Sequence, residues 1–147
     1  MAFKRTIKRK KGEKTKKVPK YKNKEVIIDG IKFVSTKEGD RYLYLKECEA
    51  MGWITDLELQ PKFELIPAVR EDYVVHLKTK DKIKTRTLQL AINYVGDFRY
   101  KKDGEEIVED VKGHPSTVTK EFELKNKLFF WKFGKRIRLV FNEKEPV

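Results

Sequence analysis

Cysteine occurs once in the 147 residues, as Cys48, and histidine twice, as His76 and His114. A disulfide framework is therefore excluded, and so is a zinc site of the Cys₄ or Cys₂His₂ kind. No apolar run approaches the roughly 20 residues of a membrane-spanning helix, and the first residues lack the apolar stretch of a secretory signal. A mitochondrial transit peptide fits poorly, because such peptides are amphipathic and serine-rich, whereas this start has no apolar stripe. The expectation is a soluble protein of a reducing, cytoplasmic compartment, without membrane contact or organic cofactor. The length is one domain's worth, and 39% apolar residues can bury a modest core, so a two-domain enzyme with a separate cofactor fold is excluded too.

Acidic residues are scarce at one end of the chain. The net charge is +12 overall. Residues 1–24 hold twelve Lys and Arg against the single acid Glu13, a net +11, which leaves +1 for the other 123 residues. Such charge density with few apolar residues cannot offset chain entropy, so 1–24 is expected to be a disordered basic arm and 25–147 the folded domain. The arm points to a polyanionic partner and should set affinity and salt dependence more than sequence preference.

In the domain, Val26-Ile27-Ile28 and Ile31-Lys32-Phe33 flank Asp29-Gly30, a strong hairpin signal. Ser35 to Gly52 repeats Tyr42, Leu45 and Cys48 at helical spacing. Trp53–Leu59 and Phe63–Ile66 then read as strands separated by Pro61, followed by strands over Tyr73–Lys78 and Ile83–Ile92 around a polar tip. Tyr94–Tyr100 and Ile107–Lys112 form a further hairpin about Asp103-Gly104. A second helix over Thr119–Gly134 and a last strand over Arg136–Phe141 complete an α/β domain, a central mixed sheet flanked by helices.

Asp97 to Lys112 carries the chemistry. Residues i and i+2 of a strand share a face, so Asp110 and Lys112 point together while Glu109 points away with Ile107 and Val111. Asp97, near the start of the same hairpin, can reach Asp110 across the strand pair. Two carboxylates beside a lysine make an oxygen-rich site for a hard cation such as Mg²⁺. That grouping suits phosphodiester hydrolysis, in which negative charge develops at phosphorus.

Gly96-Asp97, twelve intervening residues, then Asp110-Val111-Lys112 resembles the PD-(D/E)XK nuclease signature, with Gly96 in place of the usual proline. Ser35-Thr36-Lys37-Glu38 opening the first helix resembles that superfamily's added helical acid. The order Ser-x-x-Glu, Leu59-Gln60-Pro61-x-Phe63-x-Leu65, Tyr94-x-x-Asp97-Phe98 and Val108-Glu109-Asp110-Val111-Lys112-Gly113 is similar to short phage-encoded Holliday-junction resolvases and to a phage family of unknown function. The likeness spans residues 21–141. It implies a restriction-endonuclease-like core in which Glu38, Asp97 and Asp110 hold Mg²⁺, replaceable by Mn²⁺, with the Val111 carbonyl as a further ligand and Lys112 at the attacking water. It also implies a DNA endonuclease acting on branched or junction duplex as a homodimer, in host cytoplasm if phage-encoded. The rivals are a non-catalytic nucleic-acid-binding protein, and a transposase-like or replication-associated nickase on linear duplex.

Each residue also has a plainer reading. Ser35 and Glu38 stand three apart at a helix start and fit a capping box. Asp97 and Asp110 could be solvated strand-end acids, and Lys112 a surface lysine. Gln60 could touch the scissile phosphate or merely precede a proline bend. His114 could contact a phosphate, though it sits in a loop, and His76 reads as a half-buried strand residue. Lys80, Lys82, Lys84 and Arg86 near the hairpin tip are candidates for phosphate contact or a junction wedge, and Lys120, Lys125 and Lys127 on the second helix for tracking a DNA backbone. Phe129, Phe130 and Trp131 fit core packing or a dimer interface.

Overall fold

The computed structural model describes residues 24–147. The basic arm expected over 1–24 lies, apart from Lys24, outside the described residues. Strands β1 (Val26–Ile28) and β2 (Ile31–Phe33) form the first hairpin. Asp29 and Gly30 turn it with φ of 52° and 77°, the left-handed pair that matches the twist of the flanking strands. Ser35 caps α1 (Thr36–Ala50) by accepting from the Glu38 N–H at 3.2 Å, which satisfies one of the helix's orphan donors. A Cβ on Gly39 would lie 2.8 Å from the side chains of both Val26 and Ile28. Glycine there is what lets α1 seat against the hairpin.

The central sheet has the order β10-β9-β8-β3, built from β3 (Thr55–Leu59), β8 (Phe98–Lys102), β9 (Glu105–Val111) and β10 (Arg138–Val140). β3–β8 and β8–β9 are antiparallel and β9–β10 is parallel, so the sheet is mixed. A parallel pair needs a crossover, and α2 (Lys120–Phe133) supplies it, capped by Thr119 and ended by Gly134 at φ 70°. On one side of the sheet Phe98 and Tyr100 pack with Tyr42, Leu45 and Cys48 of α1. On the other, Val108 joins Phe63, Tyr94 and Phe122 and Phe129 of α2. The domain is therefore α/β, with a helix on each face.

Two more pairs complete it. β4 (Lys62–Ile66) pairs antiparallel with β7 (Ile92–Val95), and β5 (Val69–His76) with β6 (Asp81–Gln89) in a sheet of their own. The strand expected over Tyr94–Tyr100 is split at Gly96-Asp97, because the chain changes partner there. The Gly96 N–H donates to the Pro61 carbonyl at 3.0 Å and the Asp97 N–H to the Glu109 carbonyl at 3.0 Å. The first of these bonds needs an N–H at position 96, which a proline there would lack. The strand expected over Ile83–Ile92 is likewise broken, at Leu90-Ala91. No helix among the described residues is long and apolar enough to cross a membrane.

Candidate active site

The point where β7 hands over to β8 faces the C-terminal end of β9 and the N-terminus of α1. Glu38, Asp97, Asp110, Val111 and Lys112 all line one cleft of about 720 Å³ there, with Val34, Ser35, Lys37 and Gly113 among the other walls. The cross-strand register sets Phe98 opposite Glu109, which brings Asp97 level with Asp110. Asp97 Oδ2 accepts from the Val111 N–H at 2.6 Å, so its carboxylate is held against the strand bearing Asp110 and Lys112. The Lys112 ammonium is 2.5 Å from Asp110 Oδ1 and lies over the Phe122 ring at 5.1 Å. As the i, i+2 spacing requires, Glu109 faces the opposite side.

The plainer reading of Glu38 is half met. Ser35 makes the capping bond, but Glu38 Oε2 accepts from the Val34 N–H at 3.3 Å, one residue before the capping box would place it. The carboxylate is 4% exposed and lies at the cleft wall, so one side chain both closes the helix end and faces the acids. Burial raises its pKa, the Val34 bond opposes this, and Asp110 adds to the rise.

Asp97 is pushed up to about 7, first by burial, then by the charge on Asp110 and more weakly by Glu38, against the Val111 bond and Lys112. In the metal-free protein the folded state thus binds a proton that the unfolded chain, with an aspartate near pH 4, has already released. Stability contributed by this group is full below about pH 4 and is lost as pH rises to about 7. Asp97→Asn removes the titration. The wild-type protein, stripped of metal, is expected to lose thermal stability relative to Asp97→Asn between about pH 4 and 7, with a constant difference above. Parallel melting curves for the two proteins would contradict this.

The donor set suits a hard divalent cation. It is all oxygen, and the charge of Asp110 raises the proton affinity of Glu38 and of Asp97, a repulsion that a cation relieves. No group of three His, Cys, Asp or Glu side chains among the described residues is drawn together tightly enough to be a finished metal cage. Lys112 occupies Asp110 Oδ1, and rotation of that ammonium toward the cleft would free it.

Three residues that the sequence reading passed over support the site. The Tyr94 hydroxyl donates to Asp110 Oδ2 at 3.0 Å. Burial, with Asp110 beside it, raises the phenol pKa further, so the hydroxyl stays protonated and fixes the carboxylate. Lys37 Nζ donates to the carbonyls of Phe141 at 2.7 Å and Gly113 at 3.1 Å, tying the start of α1 to the loops after β9 and β10. Arg41 is fully buried and makes a bidentate pair with Glu109, Nε to Oε2 at 2.9 Å and Nη2 to Oε1 at 2.7 Å. A Tyr at the strand residue three before Asp97 was visible as a pattern, but no short-range spacing marks Arg41, which is 68 residues from its partner.

Other candidates lie elsewhere. Gln60 is exposed at φ 50°, and only its backbone is near, its N–H donating to the Asp97 carbonyl at 2.9 Å. The His114 ring caps the short 3₁₀ turn Pro115–Thr117 by accepting from the Ser116 N–H at 3.2 Å. Lys125 pairs with Glu121 at 2.8 Å and Lys120 and Lys127 are exposed, none of them lining the cleft. Phe129 is core, whereas Phe130 and Trp131 are exposed. His76 is exposed and paired with Asp81 at 2.8 Å, not half-buried.

A family model described as "protein of unknown function (DUF1064)" matches residues 18–145. The chain belongs to that family. No curated protein and no solved structure matches it.

Proposed function

We propose that the cleft is the active site of a divalent-metal-dependent DNA endonuclease with a restriction-endonuclease-like core, acting on branched or junction DNA. The observation that carries this reading is the meeting in one cleft of Glu38, Asp97, Asp110 and Lys112, drawn from α1, the β7–β8 junction, β9 and the residue that follows it. The resemblance of Asp97, Asp110-Val111-Lys112 and Glu38 to the nuclease signature gives the grouping its chemical sense. Glu38, Asp97 and Asp110 would hold Mg²⁺ or Mn²⁺, with the Val111 carbonyl as an additional oxygen donor. Such an ion would supply Lewis acidity toward the phosphate and would lower the pKa of a nearby water.

The chain's own groups divide the remaining work. Lys112, one-quarter exposed, faces a scissile phosphate from within the cleft, where an ammonium stabilises the charge gathering on the non-bridging oxygens. Tyr94 and the Val111 N–H hold the two aspartates in place. Cutting both strands of a branch is met most simply by two copies related by a twofold axis. Leu124 and Trp131, 58% and 82% exposed on α2, offer an apolar face to the second.

A non-catalytic nucleic-acid-binding protein is the second reading. The closed Lys112–Asp110 pair favours it, because a salt-bridged acid needs no metal. Purified full-length protein is to be incubated with four-way junction, flap, single-stranded and linear DNA, in Mg²⁺ or in chelator. Metal-dependent nicking with junction or flap preferred supports the endonuclease. Metal-independent binding with no product on any substrate supports the binding protein, and preferred cutting of linear duplex supports a nickase.

A further inference from the structure

We propose that the β5–β6 ribbon is a duplex-binding arm that contacts DNA through one face, the face carrying Lys82, Lys84 and Arg86. The choice of DNA rests on the reading of the cleft given above. β5 and β6 pair over eight positions, from Val69 with Gln89 to His76 with Asp81. They form a separate two-stranded sheet, and all but one of their residues are exposed. At about 3.4 Å per residue the ribbon extends about 25 Å. A hairpin wet on both faces is marginal by itself, and its length adds nothing to either core cluster of the domain.

Alternation sorts its side chains. One face carries the cross-strand pairs Arg70–Thr87, Asp72–Thr85, Val74–Ile83 and His76–Asp81. Two of those pairs bond within the face, the Thr85 hydroxyl donating to Asp72 at 2.6 Å and His76 meeting Asp81 at 2.8 Å. The opposite face carries Glu71–Arg86, Tyr73–Lys84 and Val75–Lys82. Arg86 lies over the Tyr73 ring at 5.5 Å and is 2.7 Å from Glu71. Among the described residues the ribbon's ion pairs are those two, Arg86–Glu71 and His76–Asp81. Lys82 and Lys84 therefore present uncompensated ammonium groups beside Arg86, each step along the strand about 7 Å.

A row of cations on a ribbon of this width matches a wall of phosphates, and the major groove of duplex DNA admits a two-stranded β-ribbon. A second copy of the chain is a poorer occupant. Docking this face against a second copy would desolvate Lys82 and Lys84, which is costly unless each ammonium meets an acid there. The ribbon leaves the domain at the Ile66–Ile92 end of the β4–β7 pair, while Val95 at the other end lines the cleft. Its contacts thus fall away from the scissile bond and anchor the duplex without entering the chemistry.

The test compares full-length wild type with Lys82→Gln/Lys84→Gln and with Val74→Thr/Ile83→Thr on the other face, all with matching far-ultraviolet circular dichroism. Affinity for a linear duplex and a four-way junction is measured by fluorescence anisotropy across a salt series. Removing two phosphate contacts should weaken binding about tenfold at moderate salt and flatten the plot of log K against log salt by about 2. The cleavage rate at saturating DNA should not change, and the Val74/Ile83 variant should bind as wild type does. Unchanged affinity and slope in the lysine variant overturn the proposal. So does an equal loss in both variants accompanied by a dimer-to-monomer change in sedimentation, which assigns the ribbon to a second copy. If wild type never cleaves but the lysine variant still loses binding, the cleft reading fails and the arm stands. Normal cleavage with unaltered binding in the variant has the reverse meaning.

Discussion

Lys112→Ala is expected to lower the rate of DNA cleavage by about 10²- to 10³-fold with binding changed less than about twofold, the loss seen when a single charge-stabilising donor is taken from a transition state. Two lysines line the cleft, Lys37 and Lys112, but they are not equivalent. Lys37 is committed to the Phe141 and Gly113 carbonyls, so its ammonium is fixed in the framework. Lys112 meets only Asp110 and the face of Phe122, and is free to turn to a phosphate. Asp110→Asn should be as damaging, because the amide keeps the shape and can still accept from Tyr94 but loses the charge that draws a cation. Single-turnover cleavage with matched circular dichroism measures both. Full cleavage by both variants would remove the endonuclease assignment.

The largest expected effect on stability is at the buried pair behind the cleft. Arg41 and Glu109 are both fully buried. Glu109 also accepts from the Tyr100 hydroxyl at 2.6 Å, and Arg41 Nη1 donates to the carbonyls of Glu143 at 3.1 Å and Glu145 at 2.5 Å. Removing Glu109 strands the Arg41 charge in the interior, and removing Arg41 leaves Glu109 with only the longer contact to Arg138 at 3.4 Å. Arg41→Met or Glu109→Gln is therefore expected to destabilise by about 3–5 kcal/mol, or on the order of 10–20 °C in melting temperature for a domain of this size. The double change Arg41→Met/Glu109→Met should recover much of that loss, since apolar replacement of both partners leaves no stranded charge. Chemical denaturation of the three variants decides the matter, and a double variant as unstable as the worse single one would refute the account.

This pair also bears on the site. Arg41 lies one helical turn after Glu38, and Glu109 adjoins Asp110. Locking Arg41 to Glu109 sets the register of α1 on β9, and with it the approach of Glu38 to Asp110. The stable double variant is thus expected to fold yet bind divalent cations less tightly than wild type.

Much of this frame was legible in short-range pattern. Asp29-Gly30 and Asp103-Gly104 demand left-handed turns, Ser35 a helix start, and Gly134 a helix end, and each interaction spans only a few residues. The shared face of Asp110 and Lys112 follows from the pleat alone. Less was legible wherever the deciding contact is long-range. Glu38 could be read as a cap or a ligand because both need the same residue at the same place, and only the path of β7 and β9 past the helix start makes it a cleft wall. Gln60 carried a side-chain expectation, yet what matters near the site is its backbone N–H, which the residue type cannot signal.

The sequence by itself determined the alternation of elements, the segregation of +11 into residues 1–24, and the strand that presents Asp110 with Lys112, because periodicity and turn chemistry act between near neighbours. Tertiary structure alone decided which of the many charged side chains become interior. Arg41, Glu109 and Tyr94 are ordinary letters until packing removes water from them, and burial is what turns a charge into a fixed strut and an aspartate into a group that titrates near neutrality. The same packing left the β5–β6 ribbon outside both cores, with Lys82 and Lys84 still in water.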